Sequence, residues 1–247
     1  MSTLLLRLAA PLQAWGVESR FNTRQTGAVP SKSGVIGLLA AALGLKRDAD
    51  LTELRSLRFG VRTDQPGSLL RDFHMVHYKN KAKETADVTT RYYLSDAVFL
   101  VGLESDDSVL LEALDAALRA PAWPLYLGRR SCPPTPPLVL GVRALPLDEA
   151  LWAEPWQASD WHRERWARRH PGETLSLPVL TDADGTGFGR TIVQDVPVSF
   201  DQRNRQHDFR AMEGKAPAVI TPEACAWSTT EHDAFAELGG LDVSVQN

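Results

Sequence analysis

A Gly-Arg-Arg triplet at 128–130 contains the residue types that bind phosphate groups. Gly128 lacks a Cβ and permits close backbone approach, while Arg129 and Arg130 each carry a planar fork of donors that matches phosphate oxygens. Residues 119 to 143 hold four arginines and no acid. Because local charge decides whether a phosphate backbone can be neutralised, this segment predicts a nucleic-acid contact. The alternative is a pair of arginines on an exposed turn.

A second group of this kind precedes the first predicted helix. Arg24 and Lys32 supply cations, Ser31 and Ser33 supply hydroxyls, and the free N–H groups of a helix start add a positive dipole end. Together they predict a phosphate site. The alternative is that one of the two serines simply caps the helix while Lys32 is solvated.

Three further positions favour contact with unpaired bases. Gln13 offers an amide edge and Trp15 a stacking face, next to Gly16. Burial of Trp15 in the core is the alternative. Arg91 precedes two tyrosines and is a candidate for stacking on a base or holding a phosphate, against an ordinary exposed strand charge.

The polar stretch from Tyr78 to Thr90 is too hydrophilic for a core element, so it predicts an excursion from the fold. Its lysines Lys79, Lys81 and Lys83 alternate and would share one face of a strand. Such charges often serve only solvation.

Catalytic chemistry has weaker support. His74, His77, Tyr78 and Lys79 could supply the general base and acid of a metal-independent endoribonuclease. On one strand, however, His74 and His77 would face opposite sides. No nucleotide-binding or metal-binding motif is present, so no cofactor is expected. The segment DADGTGFG (182–189) lacks the final glutamate of a calcium loop and predicts a hairpin turn.

These candidate residues must be positioned by strands and helices that the pattern predicts in a regular order. Strands are expected at 4–8, 58–63, 70–77, 92–103 and 138–143, with helices at 35–43 and 108–119. This order predicts an α+β fold with a ferredoxin-like core. We expect a core at 1–145 with a projecting excursion inserted at about 77–92, a smaller β-rich portion at 146–215, and an acidic tail at 216–247.

The bulk properties fit a globular protein of 247 residues with a net charge of −4. The tail contains five acids and no Lys or Arg, so the remainder carries +1. Cys132 and Cys225 have neither disulfide nor zinc-site spacing. No apolar run is long enough for a membrane helix, and a cytoplasmic protein without membrane contact is expected.

Five segments carry a family resemblance, in order and at compatible spacing: LRLAAPLQAWG (6–16), TRQTGAVPSKSGVIGLLAAALGLKRD (23–48), RDFHMV (71–76), RYYLSDAVF (91–99) and PLYLGRRSCPPTPPL (124–138). The first four resemble the type I-E Cas5 family of CRISPR proteins. The fifth is similar to the glycine-rich loop of the wider RAMP superfamily. The resemblance covers roughly residues 4 to 143.

This resemblance implies an RRM-like core from which the excursion at about 77–92 projects as a β-hairpin thumb. It also implies a non-catalytic subunit of the Cascade surveillance complex. Such a subunit holds the 5′ handle of the CRISPR RNA (crRNA) and caps the Cas7 backbone, with the thumb lysines contacting RNA or the adjacent Cas7. The implied partners are Cas7, Cas8e (Cse1), Cas11 (Cse2), Cas6e and, indirectly, target DNA. The alternative from the same superfamily is a ribonuclease that processes precursor crRNA, as in the type I-C branch. The Lys-His pair of that branch has no counterpart here.

Overall fold

The computed structural model describes residues 1–16, 23–80 and 83–221, apart from the side chains at 79, 80, 83 and 84. The strands are β1 (Ser2–Ala9), β2 (Leu12–Gln13), β3 (Thr23–Arg24), β4 (Arg58–Gln65), β5 (Ser68–Asn80), β6 (Lys83–Ser95), β7 (Val98–Ser105), β8 (Val139–Arg143), β9 (Leu175–Asp182), β10 (Phe188–Ser199) and β11 (Gln206–Ile220). The helices are α1 (Lys32–Ala42), α2 (Thr52–Ser56), α3 (Ser108–Arg119), α4 (Leu147–Ala153) and α5 (Asp160–Arg169).

The main sheet has seven strands in the order β10-β11-β9-β4-β7-β1-β8. Its β4-β7-β1-β8 half is antiparallel throughout, and α1 and α3 are the two crossover helices. This order and connectivity are those of a ferredoxin-like unit. The predicted α+β fold is therefore confirmed.

Local signals account for both crossover helices. The side chain of Ser31 accepts a hydrogen bond from the Gly34 N–H at the start of α1, and Gly44 follows its end with a φ of 72°. The Asp107 carboxylate caps α3, which buries Leu111, Leu114 and Leu118 along one stripe. Helix α3 has the predicted bounds. Helix α1 begins at Lys32, because Ser31 is the one of the two predicted capping serines that caps it.

The sheet is covered on both faces. Helices α1 and α3 pack on one face, whereas Leu147, Leu151 and Trp156 pack on Leu5 and Leu100 of the other. An RRM stacks bases on one open sheet face. In the described part of this chain that face is filled by apolar side chains, so nucleic acid must be bound elsewhere.

Two glycines make room for α4 on this second face. A Cβ at Gly102 would lie 2.5 Å from Cδ1 of Leu147, and one at Gly60 would lie 2.9 Å from Cδ1 of Leu151. Both distances are far inside van der Waals contact. The absence of side chains at these strand positions therefore allows α4 to close the sheet.

The C-terminal strands continue the same sheet. Strand β9 pairs with β4, and β11 lies between β9 and β10. The hairpin turn predicted at 182–189 is therefore wrong, because β9 and β10 do not pair with each other. The connection is held instead by β11, where Glu213 accepts hydrogen bonds from the N–H groups of Asp184 and Gly187 and Lys215 pairs with Asp184.

The insertion is a long antiparallel hairpin, β5–β6, paired from Ser68↔Ser95 to Asn80↔Lys83. It begins nine residues before the predicted 77–92 range. The strand predicted at 92–103 is two strands, because the chain bends at Asp96 (φ 55°) and enters β7 at Val98. The side-chain amide of Gln65 donates to the Asp96 carbonyl and holds this bend. No helix of the described ranges is long and apolar enough to cross a membrane.

Candidate nucleic-acid interface

Three segments meet at the base of the hairpin. The short strand β3 pairs in parallel with β6, which aligns Arg24 with Arg91. The glycine loop at 128–130 lies against both segments, because the Arg129 guanidinium donates to the carbonyls of Tyr92 and Arg24, each at 3.0 Å. The fold thus brings Arg24, Arg91 and the glycine loop together from three distant parts of the sequence.

Arg129 holds this arrangement in place. Besides these carbonyl acceptors and that of Gln25 at 3.4 Å, its guanidinium carbon lies 4.6 Å from the ring centroid of Tyr93, a cation–π contact. Both terminal nitrogens of Arg129 therefore have acceptors within the protein. Arg129 positions the loop, and the neighbouring Arg130 is exposed to solvent.

Gly128 is required for a close contact within the chain. Its φ is 84°, and a Cβ there would lie 1.7 Å from the carbonyl oxygen of Ala14. The sequence predicted that Gly128 would let another group approach its backbone closely. In the structure, the group that does so is the backbone of Ala14 rather than a phosphate.

Gln13 and Trp15 are buried, with exposures of 0% and 1%. The Gln13 amide donates to the carbonyls of Leu8 and Ala97, and its oxygen accepts a hydrogen bond from the Trp15 indole N–H. A buried amide needs such partners. Neither side chain can offer an edge or a face to a base, and the predicted base contacts are replaced by a structural role between β1 and the hairpin base.

The N-terminus of α1 already binds a carboxylate. The Lys32 N–H donates to Asp195 at 2.8 Å, and its ammonium pairs with Asp182 at 3.0 Å. Arg210 bridges the same two carboxylates at 2.7 and 2.6 Å. The predicted phosphate site is therefore filled by the chain itself. Sequence gave no signal for this, because Asp195 lies 163 residues from Lys32.

Ser31 and Ser33 also lie at the helix start in place of the predicted phosphate site. Ser31 caps the helix, and the Ser33 hydroxyl lies 3.4 Å from that of Ser31. Both hydroxyls serve the start of α1, as the capping alternative expects.

Three guanidinium groups remain available at the hairpin base. Arg24 and Arg130 are exposed and Arg91 is half-buried. No hydrogen bond or ion pair joins these side chains to any residue that the structure describes, and the buried Nε of Arg91 has no acceptor there. We call Arg24, Arg91 and Arg130 the basic triad. Such a group can hold phosphates or stack on bases.

The candidate catalytic groups are dispersed along the hairpin. His74 and His77 alternate across β5, opposite Thr89 and Ala86, and the His74 imidazole contacts the Asp72 carboxylate. The Tyr78 hydroxyl donates to Asp87 at 3.0 Å, and this bond raises the pKa of Tyr78. A raised pKa makes the phenol less ready to lose its proton, so even less phenolate is available as a general base at neutral pH. In the described residues these groups do not share one site.

The thumb lysines fall outside what the structure describes in atomic detail: Lys81 entirely, Lys79 and Lys83 in their side chains. Sequence reasoning missed a different feature of the hairpin. Phe73 and Met75 are 57% and 63% exposed on one face of β5. The alternation in residues 70–77 indicated a strand, but alternation does not tell whether the apolar face meets the core.

The relationship to known proteins agrees with this arrangement. The sequence model of the CRISPR-associated protein family Cas5 matches residues 3–213. The chain belongs to the Cas5 family. The match includes the hairpin, the glycine loop and strands β9 and β10, and it ends before the acidic tail.

Individual Cas5 relatives are similar at the level of sequence and structure. The CRISPR system Cascade subunit CasD of Escherichia coli K12 is 40% identical over 160 residues, covering 57% of this chain and 71% of CasD. A chain of a solved CRISPR RNA-guided surveillance complex superposes with a TM-score of 0.74 at 33% identity, covering 90% of this chain and 92% of its own length. A crystal structure of a Cas protein gives 0.65 at 40% identity, covering 90% and 96%.

Proposed function

We propose that this Cas5-family chain is a non-catalytic crRNA-binding subunit of a Cascade-type surveillance complex, and that the basic triad binds the 5′ handle of the guide RNA. The observation that carries this proposal is the β3–β6 pairing, which sets Arg24 beside Arg91 at a rim where Arg130 is also presented. The named functions of CasD and of the surveillance complex support it.

Geometry favours an extended, unpaired strand as the ligand. The sheet face that an RRM would use is closed, so bases cannot lie on it. Guanidinium planes at the hairpin base can contact phosphates and bases of a single strand without reading its sequence. A handle that runs along the base of the hairpin and past the glycine loop would meet all three cations.

The hairpin is the part that suits partner subunits. The hairpin exposes the apolar residues Phe73, Met75 and Val88. Exposed apolar side chains do not stabilise an isolated monomer, and such a surface is typical of a protein–protein contact. Within a Cascade-type assembly the occupant would be the adjacent Cas7 subunit, with the thumb lysines Lys79, Lys81 and Lys83 reaching RNA or the same subunit. Cas8e, Cas11, Cas6e and the target DNA would be met only in the complete complex.

The ribonuclease alternative lacks a specific supporting observation. That chemistry needs a base, an acid and a cation around one scissile phosphate. His74 and His77 lie on opposite faces of the hairpin, and Tyr78 is bonded to Asp87.

The deciding experiment is assembly. The tagged chain is co-expressed with the other Cascade genes and a CRISPR array of its source genome, and the purified complex is assayed for bound guide RNA. We expect guide RNA and Cas7 to co-purify with the wild-type chain. Triple replacement of Arg24, Arg91 and Arg130 by alanine should reduce the RNA recovered. Recovery of an intact complex with undiminished RNA would refute the role of the basic triad.

A further inference from the structure

Helix α5 (Asp160–Arg169) contains no buried residue. It is attached by its inner side, where the rings of Trp166 and His162 each lie 6.0 Å from that of Trp156 in edge-on contacts. Its outer side carries Trp161, which is 48% exposed, and three exposed arginines. At 100° per residue, Trp161, Arg165, Arg168 and Arg169 fall within one face of the helix. We call these four residues the α5 stripe.

The charges of the α5 stripe are not neutralised within the described protein. Asp160 pairs with Arg163, and neither an ion pair nor a hydrogen bond joins Arg165, Arg168 or Arg169 to a described side chain. Glu164 flanks the stripe and leaves it net positive. The field of Arg165 reaches His162, where it adds to burial in lowering the pKa of that imidazole.

A purely structural account explains only part of the stripe. Arg168 and Arg169 lie in the last turn, where cations offset the helix dipole. Arg165 lies outside that turn. The ring of Trp161 lies 5.4 Å from that of His162 in an edge-on contact, yet about half of the indole remains exposed and this contact does not account for it. An aromatic ring among unpaired guanidinium groups has the composition of a surface for single-stranded nucleic acid.

The stripe is connected rigidly to the hairpin base. The Asp64 carboxylate accepts from the Gln157 N–H at 2.6 Å, and Gln65 accepts from the Ser159 hydroxyl at 2.8 Å. Gln65 also donates to Asp96, where the hairpin meets β7. A cavity of about 470 Å³ beside this connection is lined by Arg7 and Arg163, among other residues. Cations thus continue from the helix toward the core.

We propose that the α5 stripe is a second nucleic-acid contact, which binds the phosphate backbone of single-stranded RNA and stacks one base on Trp161. This inference rests on the proposed function, since the strand it would bind is the guide RNA held by the basic triad. Arg165 and Arg169 are separated by about 6 Å along the helix axis, a spacing on the scale of neighbouring phosphates. The positive charge of the α5 stripe favours a polyanion as its ligand. The exposed indole of Trp161 favours a polyanion with unpaired bases.

The test is fluorescence anisotropy with a labelled, unstructured single-stranded RNA and the full chain at several salt concentrations. The variant is R165E/R168E/R169E. Its matched control is R190E/R203E/R205E, which removes the same charge at exposed positions near β10 and β11. We expect the stripe variant to lose about tenfold or more in affinity at low salt, and its salt slope to fall by roughly 2, at about 0.7 per phosphate. The control should lose much less.

Trp161 separates stacking from charge. Trp161→Ala should weaken binding roughly 5- to 100-fold with little change in salt slope, and Trp161→Phe should restore most of the affinity. Circular dichroism and thermal melting monitor the fold of every variant. A stripe variant that binds RNA like its matched control would overturn the proposal.

Other outcomes would assign a different ligand to the α5 stripe. A stripe effect confined to duplex DNA, or to vesicles containing anionic lipid, would also reject single-stranded RNA as the ligand. If the proposed function itself is wrong, the wild-type chain will bind no RNA, and this result distinguishes that outcome from a failure of the stripe inference alone. If alanine at the basic triad abolishes binding while the stripe variant matches its control, the inference alone fails.

Discussion

The guanidinium of Arg129 lies 4.6 Å from the ring centroid of Tyr93 and donates to the carbonyl of the preceding residue, Tyr92. One side chain therefore ties the glycine loop to the base of the hairpin, near the end of β6. Because Tyr93 is buried, movement of the loop would also disturb the core. The position of Arg130 and the alignment of Arg24 with Arg91 depend on this connection.

Replacing Arg129 by lysine should separate positioning from charge. Lysine keeps the cation but loses the fork and the planar face. We expect a loss of about 1 to 3 kcal/mol in the free energy of unfolding, as for hydrogen bonds that involve a charged group. RNA affinity should fall while the salt slope is kept. The matched control is Arg130→Lys, which should leave stability unchanged; equal destabilisation by both variants would contradict the assignment.

Arg91 can hold a phosphate or stack on a base, and two substitutions distinguish these contacts. If it stacks, Arg91→Ala should cost about 1 to 3 kcal/mol of RNA binding with a small change in salt slope. Arg91→Lys would then be nearly as weak, because lysine lacks a planar face. Near-normal binding by Arg91→Lys, with a slope lowered only in Arg91→Ala, would indicate a phosphate contact. Titrations on the assembled complex measure both.

Closure of the sheet by α4 depends on glycine at position 102. Gly102→Val should destabilise the fold by about 1 to 3 kcal/mol or more, because its first carbon already overlaps Leu147. A smaller residue at 147 should recover part of this loss, so we expect G102A/L147A to be less destabilised than the sum of its single variants. Gly16→Ala is the control, since nothing lies within 4 Å of a Cβ there. Urea unfolding measures the stability of all five variants.

The network around β11 makes stability depend on pH. Hydrogen bonds from Lys215 and Thr186 hold the pKa of Asp184 well below its ordinary value. A carboxyl group with a depressed pKa in the folded state stabilises the protein above its unfolded pKa of about 4, and that stabilisation is lost as the pH falls through the folded value.

Asp184→Asn should therefore destabilise the protein at pH 7 and flatten its loss of stability below about pH 5. Urea midpoints measured from pH 7 down to about 3 give the two curves. Asp48→Asn, at an exposed position, serves as the control and should follow the wild-type curve. Parallel curves for Asp184→Asn and wild type would show that this ion pair does not set the pH dependence.

Features that depend on contacts between residues close in sequence were predicted correctly. Features that depend on contacts between residues distant in sequence were missed. Helix α3 was predicted with its observed bounds because its cap and apolar stripe are local. The pairing of Lys32 with Asp195 spans 163 residues, and the contact of Arg129 with Arg24 spans 105. Nothing in the local pattern distinguishes a cation that meets an internal partner from one left for RNA.

The same limit applies to strands. The alternation of residues 191–212 indicates strands, but alternation does not show that β11 inserts between β9 and β10. In the hairpin, alternation identified a strand and left its exposure undecided. The family resemblance predicted that the hairpin contacts a partner subunit. Its exposed apolar face became apparent only once the pairing of β5 with β6 was known.

The last prediction concerns this hairpin face, which we propose as the contact with the adjacent Cas7. Phe73 and Met75 are exposed, and β5 pairs only with β6 in the described structure. F73S/M75S should therefore change the thermal midpoint of the isolated chain only slightly, because both side chains are more than half exposed and little burial is lost. It should still reduce co-purification of Cas7 with the tagged chain.

Replacement of residues 79 to 90 by a short Gly-Ser linker tests the outer hairpin separately and should also leave a folded monomer that fails to assemble. The matched control is F188S/I192S, which removes two exposed apolar side chains from β10. If the β10 variant blocks assembly and F73S/M75S does not, the contact with Cas7 lies on the edge of the main sheet. Normal assembly of both hairpin variants would remove the hairpin from the interface, because a surface that buries Phe73 and Met75 cannot lose both side chains without losing affinity.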